Sequence, residues 1–600
     1  MPVLRGTNFK QVPVKISGSS VYGIYPKISN ERTYNFFMSD GFLAPYPGYK
    51  IGLSSSLFQS SLEGRALYAS VKLNLIFAVF DNKFYQISLT YDHLTAEINN
   101  YQITILGTLQ TSTGVCYIAE NNKPQILISD GTALYVYDMT KSVSSTPFTT
   151  NYGSNNKLIT LSSPVVLDIG DPVTFTGGSL PSGLTAGTTY YVSATGLSST
   201  TIELALTPTN AYLGSPTIDI GSDGSGNVNT LGAFQTPLIN FIPGYINFHD
   251  TYFLVAASSD NYYTPAANNT YRLSAQNNGN LFPDTAQTIG LLETKPDNTQ
   301  AVVRFPSKGN MILVMGKSVT EFWFDTGAQL FPYQRTNQGS IDYGCLNPAT
   351  VASMDEIVVW LARNEKSGPI IMYSTGGEPK KVTTDGIDYQ LSEIENPEAS
   401  QGFLFRKNGH LFYHLNFYID QLSFVVDFNT NKIYNACDQN LSYYSMGQVI
   451  WYNNQYFSIT KDNGNFFIFD TIFSTYQTVD SMNNVVEFEI PRIRTTNNIR
   501  LPSQDYFIAN DIGFTIESGE TDYHQSNSLP PYTPRVDLSV SFDGGATFGS
   551  DFPYVLPGIG QRKNRLMWWQ LGMGNDMVFQ FKFVGWGRFT ATDGVLNIRQ

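Results

Sequence analysis

The stretch "NGHLFYHLNFYIDQLSFVVDF", Asn408 to Phe428, sets an Asn-Gly pair before an apolar run, then a polar step at Asp420-Gln421, then a second apolar run. The stretch therefore reads as strand, turn, strand. The same grammar recurs as "LNLIFAVFDNKFYQI" from Leu73, "KPQILISDGTALYVYD" from Lys123 and "HDTYFLVAAS" from His249. It continues in "GNMILVMGKSVTEFWFD" from Gly309, "DEIVVWLARNEKSGPIIMYS" from Asp355 and "NNQYFSITKDNGNFFIFD" from Asn453. The starts lie mostly about 45 to 60 residues apart, the period of a four-stranded propeller blade.

Composition points the same way. A chain of 600 residues is too long for one ordinary core and suggests two to four domains, unless repeats close into a ring. Aromatic residues make up 14% of it, matching the 14% that are charged, and aromatics favour half-buried pleated surfaces. The expected fold is all-β, a β-propeller of six or seven blades with an inserted small β-sandwich and a C-terminal β-domain.

One interval breaks the period. From Lys123 to His249 the spacing is more than twice a blade, and from about Leu158 to Asn227 the composition shifts to Thr, Ser, Gly and Leu. Residues 151–235 are therefore read as an inserted β-sandwich. After Asp480 the strands lengthen and alternate more regularly, as in "VDLSVSFDGGATF", so 481–600 reads as a C-terminal β-domain. Residues 1–60 read as an N-terminal arm, and 61–150 with 236–480 as the propeller.

The formal net charge of −13 excludes a general nucleic-acid binder that gains affinity by counterion release. Cys116, Cys345 and Cys437 are widely separated, with no metal or redox spacing, and read as reduced, buried thiols. The opening residues lack the apolar core of a signal peptide, and no apolar run reaches about 20 residues, so synthesis in a cytoplasm and no membrane anchor are expected.

Candidate chemistry is sparse. "SFDGGATF" carries Ser541, Asp543, Gly545, Thr547 and Phe548 in the pattern S-x-D-x-G-x-T-F, which resembles the Asp-box hairpin best known from sialidases. In such hairpins the polar side chains hold the turn and present nothing to a substrate. His410 and His414 are spaced like a zincin pair but lack its Glu, and on a strand they stand about 13 Å apart. The glycines of "GIGQRKNR" and "LGMGND" open no helix, so they read as turns rather than a phosphate cradle. Glu321, among aromatics and with no partner carboxylate nearby, reads as a structural hydrogen bond or an inter-blade contact in place of a catalytic acid. Arg562, Lys563 and Arg565 form the densest basic cluster, either a solvated loop or a salt-bridged contact with a neighbouring subunit or adaptor ring, and with Trp568 and Trp569 make a candidate interface in which one Trp is core and the other surface. No catalytic residue, metal or cofactor is expected.

Several segments are similar to the tail-hub proteins of short-tailed phages, also called packaged-DNA stabilisation or nozzle proteins. They are the aromatic-Pro-Gly turn at Tyr46, Pro47 and Gly48 after Gly41 and Leu43, "GKSVTEFWFDTG" from Gly316, and "QRKNRLMWWQLG" with a closing "GVLNIR". The insert, from Gly170 to Tyr190, resembles a module of phage tail and fibre proteins. The resemblance implies a homo-hexameric ring in the virion tail, assembled in the host cytoplasm below the portal and its adaptor. It implies a needle or plug at the distal end, attached fibres or spikes, and double-stranded DNA passing without sequence recognition. The alternative is a phage-associated propeller that binds or cleaves glycans. A third reading is an adhesin or scaffold unrelated to phage.

Overall fold

The computed structural model describes residues 9–23, 31–53, 62–91, 98–257, 272–283, 285, 287–295, 297–354, 356–470, 473, 475–480, 482, 484–518, 534–556, 563–585 and 589–599. The blade grammar of the sequence is realised as antiparallel sheets, four-stranded in the first four blades. Blade 1 is Gly64–Ser70, Leu75–Phe80, Lys83–Tyr91 and Ile98–Thr108; blade 2 is Tyr117–Glu120, Gln125–Ser129, Leu134–Asp138 and Phe234–Gln235. Blade 3 runs from Pro243–His249 to Ile289–Leu291, blade 4 from Ala301–Arg304 to Tyr333–Ile341, and blade 5 centres on Ile357–Arg363 and Ile370–Ser374. Blade 6 is Ser400–Lys407, His410–Phe417, Leu422–Asp427 and Lys432–Asn435. These six sheets follow one another along the chain. A seventh, Met446–Tyr452, Gln455–Thr460 and Phe466–Asp470, gains its fourth strand from Gly48–Leu53 near the N-terminus.

The ring closes because each blade shares an apolar seam with the next. Phe77 and Val79 of blade 1 pack with Ile126 and Ile128 of blade 2, and Leu127 and Val136 of blade 2 with Phe253 and Val255 of blade 3. Val359 and Leu361 of blade 5 meet Tyr413 and Leu415, and Phe405 and Phe412 of blade 6 meet Phe467 and Tyr456. Phe457 and Ile459 of blade 7 return to Ile76 and Ala78 of blade 1. Every middle strand is thus covered on both faces, which is why "LIFAVF" and "MILVM" are continuously apolar instead of alternating. The hairpin tips supply the twist: Asn408 and Gly409 have φ of 51° and 81°, the left-handed pair that a two-residue primed turn requires.

The insert leaves blade 2 on Ser145–Thr150 and returns on Ser225–Thr230, and these two strands pair with each other, so its ends meet and ring closure is not disturbed. Its seven strands form one continuous sheet in place of the two of a sandwich. The edge strands Thr201–Ile202 and Leu204–Ala205 are separated by Glu203 alone, so the sheet curls until its edges meet around Phe148, Phe175 and Val192. Phe234–Gln235, grouped with the insert by composition, is the outer strand of blade 2. A two-residue strand carries no periodicity by which to recognise it.

The C-terminal β-domain is a two-sheet sandwich, and the N-terminal segment is woven through it. One sheet joins Phe507–Glu517 to Lys563–Gly574, Gly594–Arg599 and Lys10–Val14, with Phe36–Ser39 and Phe42–Pro45 further along it. The other contains Arg492–Thr495, Val578–Val584, Arg535–Ser541 and Phe552–Val555, and it continues through Arg32–Tyr34 into the outer strand of blade 6. Ile512 and Leu566 of the first sheet and Leu538 and Phe581 of the second share one core with Val14, Ile16, Phe36 and Leu43. Among the described residues, no helix is long and apolar enough to cross a membrane.

Arg494 holds this weave together. Its guanidinium is fully buried and donates to the carbonyls of Lys15, Ile16 and Ser19 at 2.9, 2.9 and 3.2 Å, to Thr33 Oγ1 at 3.1 Å, and to the carboxylate of Glu31. Arg494→Ala strands that carboxylate and leaves the carbonyls without donors. Chemical denaturation is expected to show a loss of about 3 to 5 kcal/mol, with early proteolytic cleavage of the first thirty or so residues.

Candidate functional site

The innermost strands of the blades surround the axis of the ring. Around the axis lies a cavity of about 280 Å³ bordered by Leu67, Tyr117, Asn247, Ser353, Gln401 and Gln448, and none of its lining residues is charged. Its amides are committed to the ring. Gln448 of blade 7 accepts from Leu67 N at 2.7 Å and donates to Arg65 O at 3.4 Å, while Asn247 of blade 3 donates to Val302 O of blade 4 at 3.0 Å. A mouth of about 330 Å³, carrying Glu398, Lys461 and Tyr418, opens at one end. These are volumes of small-molecule pockets. A DNA duplex does not fit in a space of this size.

The Asp-box is a closed circuit. Asp543 accepts from Ala546 N at 3.0 Å and from Thr547 N and Oγ1 at 2.9 and 2.7 Å, and Ser541 Oγ accepts from Gly545 N at 2.8 Å. The Thr547 and Ser541 hydrogen bonds hold its carboxyl far below the usual carboxylate range. Phe548 is half-buried. The hairpin joins Arg535–Ser541 to Phe552–Val555 in the C-terminal sandwich, away from the blades.

The tryptophan pair divides as strand alternation requires. Trp568 is 6% exposed, packs in the sandwich core against Phe514 and Phe581, and donates its indole N–H to Phe552 O at 2.9 Å. Trp569 is 62% exposed, on the same outer face as Met573 and Ile508, both also exposed. Lys563 and Arg565 lie exposed on the same strand, and Arg562 lies outside the described residues. Trp568 therefore serves the fold, and only Trp569 is available to a partner.

Glu321, His414 and the cysteines are spent internally. Glu321 is fully buried and accepts from Glu293 N, Thr294 N and Trp323 Nε1 at 3.0, 2.7 and 2.9 Å. His414 bonds Tyr46 OH and Asn416 Oδ1, each at 2.8 Å, and His410 bonds Asp427 and Ser39. The three cysteines are buried, and burial pushes the thiols of Cys116 and Cys437 up to about 12. Sequence reasoning missed the link between His410, Ser39 and Asp427, because Ser39 lies far away in the chain and nothing local marks it.

The middle of the chain is similar to a phage propeller. The family model described as bacteriophage P22 Gp10, beta-propeller, matches residues 256–417, from the second strand of blade 3 to the second strand of blade 6. The match supports, at a coarse level, a structural tail protein of a bacteriophage. No curated protein sequence matches. Among solved structures, the computationally designed Ika8 protein is 12% identical, with 68% of this chain and 96% of that chain covered at a TM-score of 0.29. A mutant of Trypanosoma rangeli sialidase displaying trans-sialidase activity is 8% identical over 98% and 95%, at a TM-score of 0.25. A Trichoderma reesei carbohydrate-active enzyme of family AA12 is 10% identical over 76% and 99%, at a TM-score of 0.31. Likeness at this level carries no argument about function.

Two outcomes follow from the site geometry. Trp568→Ala is expected to lower stability by about 3 to 5 kcal/mol, the cost of emptying a large aromatic site, whereas Trp569→Ala leaves the denaturation midpoint nearly unchanged. Burial pushes the His414 imidazole down to about 3, so it stays neutral in the fold while the unfolded chain takes up a proton below about 6.5. This contribution is complete above that pH and is lost toward pH 3 at up to about 1.4 kcal/mol per unit. Denaturation of His414→Gln across that range is expected to show a shallower acid slope than the wild type.

Proposed function

We propose that this chain is a virion structural protein of a short phage tail, six copies of which form a hub ring below the portal and adaptor. The ring retains packaged DNA, conducts it at ejection and anchors fibres or spikes. The observation that carries this reading is the phage P22 Gp10 match on residues 256–417, which falls on consecutive blades of a propeller. The acidic balance supports it: at −13 per copy, a lumen lined by such subunits repels phosphates, and a moving duplex meets few sites to which it sticks. The curled insert projects from blade 2 on paired strands and gives an outer module for fibre contact without interrupting the ring of blades. Needle, adaptor and fibre are the partners this reading requires.

The glycan alternative rests on the Asp-box, and the polar atoms of that hairpin are engaged in its own turn. Light scattering on the purified chain, alone and with its cognate portal-adaptor complex, tests the hub reading. Six copies joining the complex are expected; a chain that ignores the complex overturns it.

A further inference from the structure

Three hairpin ends converge beside blade 6. Ser39 ends the strand Phe36–Ser39, His410 begins the strand His410–Phe417, and Asp427 ends Leu422–Asp427. His410 Nδ1 lies 2.9 Å from Asp427 Oδ2, and His410 Nε2 lies 3.1 Å from Ser39 Oγ. Asp427 is fully buried and is itself fixed by Asn429 N at 2.9 Å and Thr430 Oγ1 at 2.7 Å. A carboxylate only accepts, so the proton of a neutral His410 sits on Nδ1, and Nε2 is left to accept from the Ser39 hydroxyl. The imidazole is held in that plane by Phe412, stacked at 14°, and Phe37, edge-on at 5.1 Å. Among the described residues, no other histidine bonds a carboxylate.

We propose that Ser39, His410 and Asp427 form an acyl-transfer site that hydrolyses small carboxylic esters. Recognition of such a site rests on geometry and roles, whatever the fold or chain order. Ser39 is partly open to solvent, and Asp40 and Gly41 follow it with φ of 50° and 80°. Successive N–H groups in a turn of this kind form a concavity for an anion, and the N–H after the nucleophile is a common oxyanion donor. A methyl group placed on Gly41 meets no atom within 4 Å, so the space above the turn is open. Phe42, paired across the hairpin from Ser39 and 43% exposed, offers an apolar surface to the ester.

In the reaction, Ser39 Oγ bonds to the ester carbonyl carbon as its proton passes to His410 Nε2. The ester C–O bond then breaks, and the same proton leaves on the alcohol. Water next attacks the acyl-serine, giving one proton to His410 while the acid departs, and the proton returns to Ser39. Asp427 is a positioning residue that holds the ring and steadies its charged form.

This inference stands apart from the hub reading and is tested on the full chain without partners. A fluorophosphonate probe is expected to label the folded protein once, at Ser39 by peptide mass spectrometry, and to fail after heat denaturation. Ser39→Ala is expected to remove both the label and p-nitrophenyl acetate hydrolysis, with a circular dichroism melt retained as proof of folding. Asp427→Asn is expected to slow labelling by at least about 100-fold, since an amide donor facing Nδ1 favours the wrong imidazole tautomer. A folded wild type that takes no label at Ser39, or that hydrolyses the ester no faster than folded Ser39→Ala, overturns the proposal and leaves the contact as a clamp between the N-terminal hairpin and blade 6.

Discussion

The buried guanidinium of Arg494 is the contact on which the two halves of the molecule depend. An arginine removed from water is tolerated only when its donors meet well-placed acceptors. Here the acceptors all belong to residues 15–33. The approach is so close that a Cβ on Gly18 would lie 2.0 Å from Arg494 Nη2, so a side chain there pushes the guanidinium off its acceptors. Once this segment is fixed, the chain passes through Arg32–Tyr34 between blade 6 and the sandwich. Asn35 then donates to the carbonyls of Cys437 at 3.0 Å and Pro491 at 2.8 Å. The same path leads on to Gly48–Leu53, which completes blade 7. One salt-bridged side chain thus sets the course of the segment that seals the propeller.

What could be read from the sequence followed the range of the forces involved. Blades were legible because their middle strands are apolar on both faces and their tips need residues such as Asn408 and Gly409, both local properties. The insert was legible because its composition shifts. The N-terminal segment reads only as an arm, because its partners lie more than 400 residues away, as between Asn35 and Cys437, and such a pairing leaves no periodic trace. The tryptophan pair shows the limit within a single element. Alternation says that Trp568 and Trp569 face opposite ways, but only the sheet facing them decides which is inside. Likewise "HLFYH" carried a histidine spacing, whereas the chemistry of His410 resides in Ser39 and Asp427, which that spacing does not reach.

The axis of the propeller and the charge of the chain have separate roles. The axial cavity is uncharged and braced by amides such as Gln448, which stitches blade 7 to blade 1. It behaves as a keystone of the ring, while Trp569, Lys563 and Arg565 stand exposed on the C-terminal sandwich.

The closing strand also imposes an order in time. Gly48–Leu53 leaves the ribosome early, yet its partner Phe466–Asp470 is made some 400 residues later, which at about 5 to 20 residues per second is a delay of tens of seconds. Through that interval the first blades are an open arc with two apolar flanks, and the N-terminal strand has no edge to join. Sealing the ring is therefore a late, long-range event of the kind that slows folding. A truncated product of this gene can build several blades but cannot make a closed ring, so closure itself distinguishes a finished chain from an unfinished one.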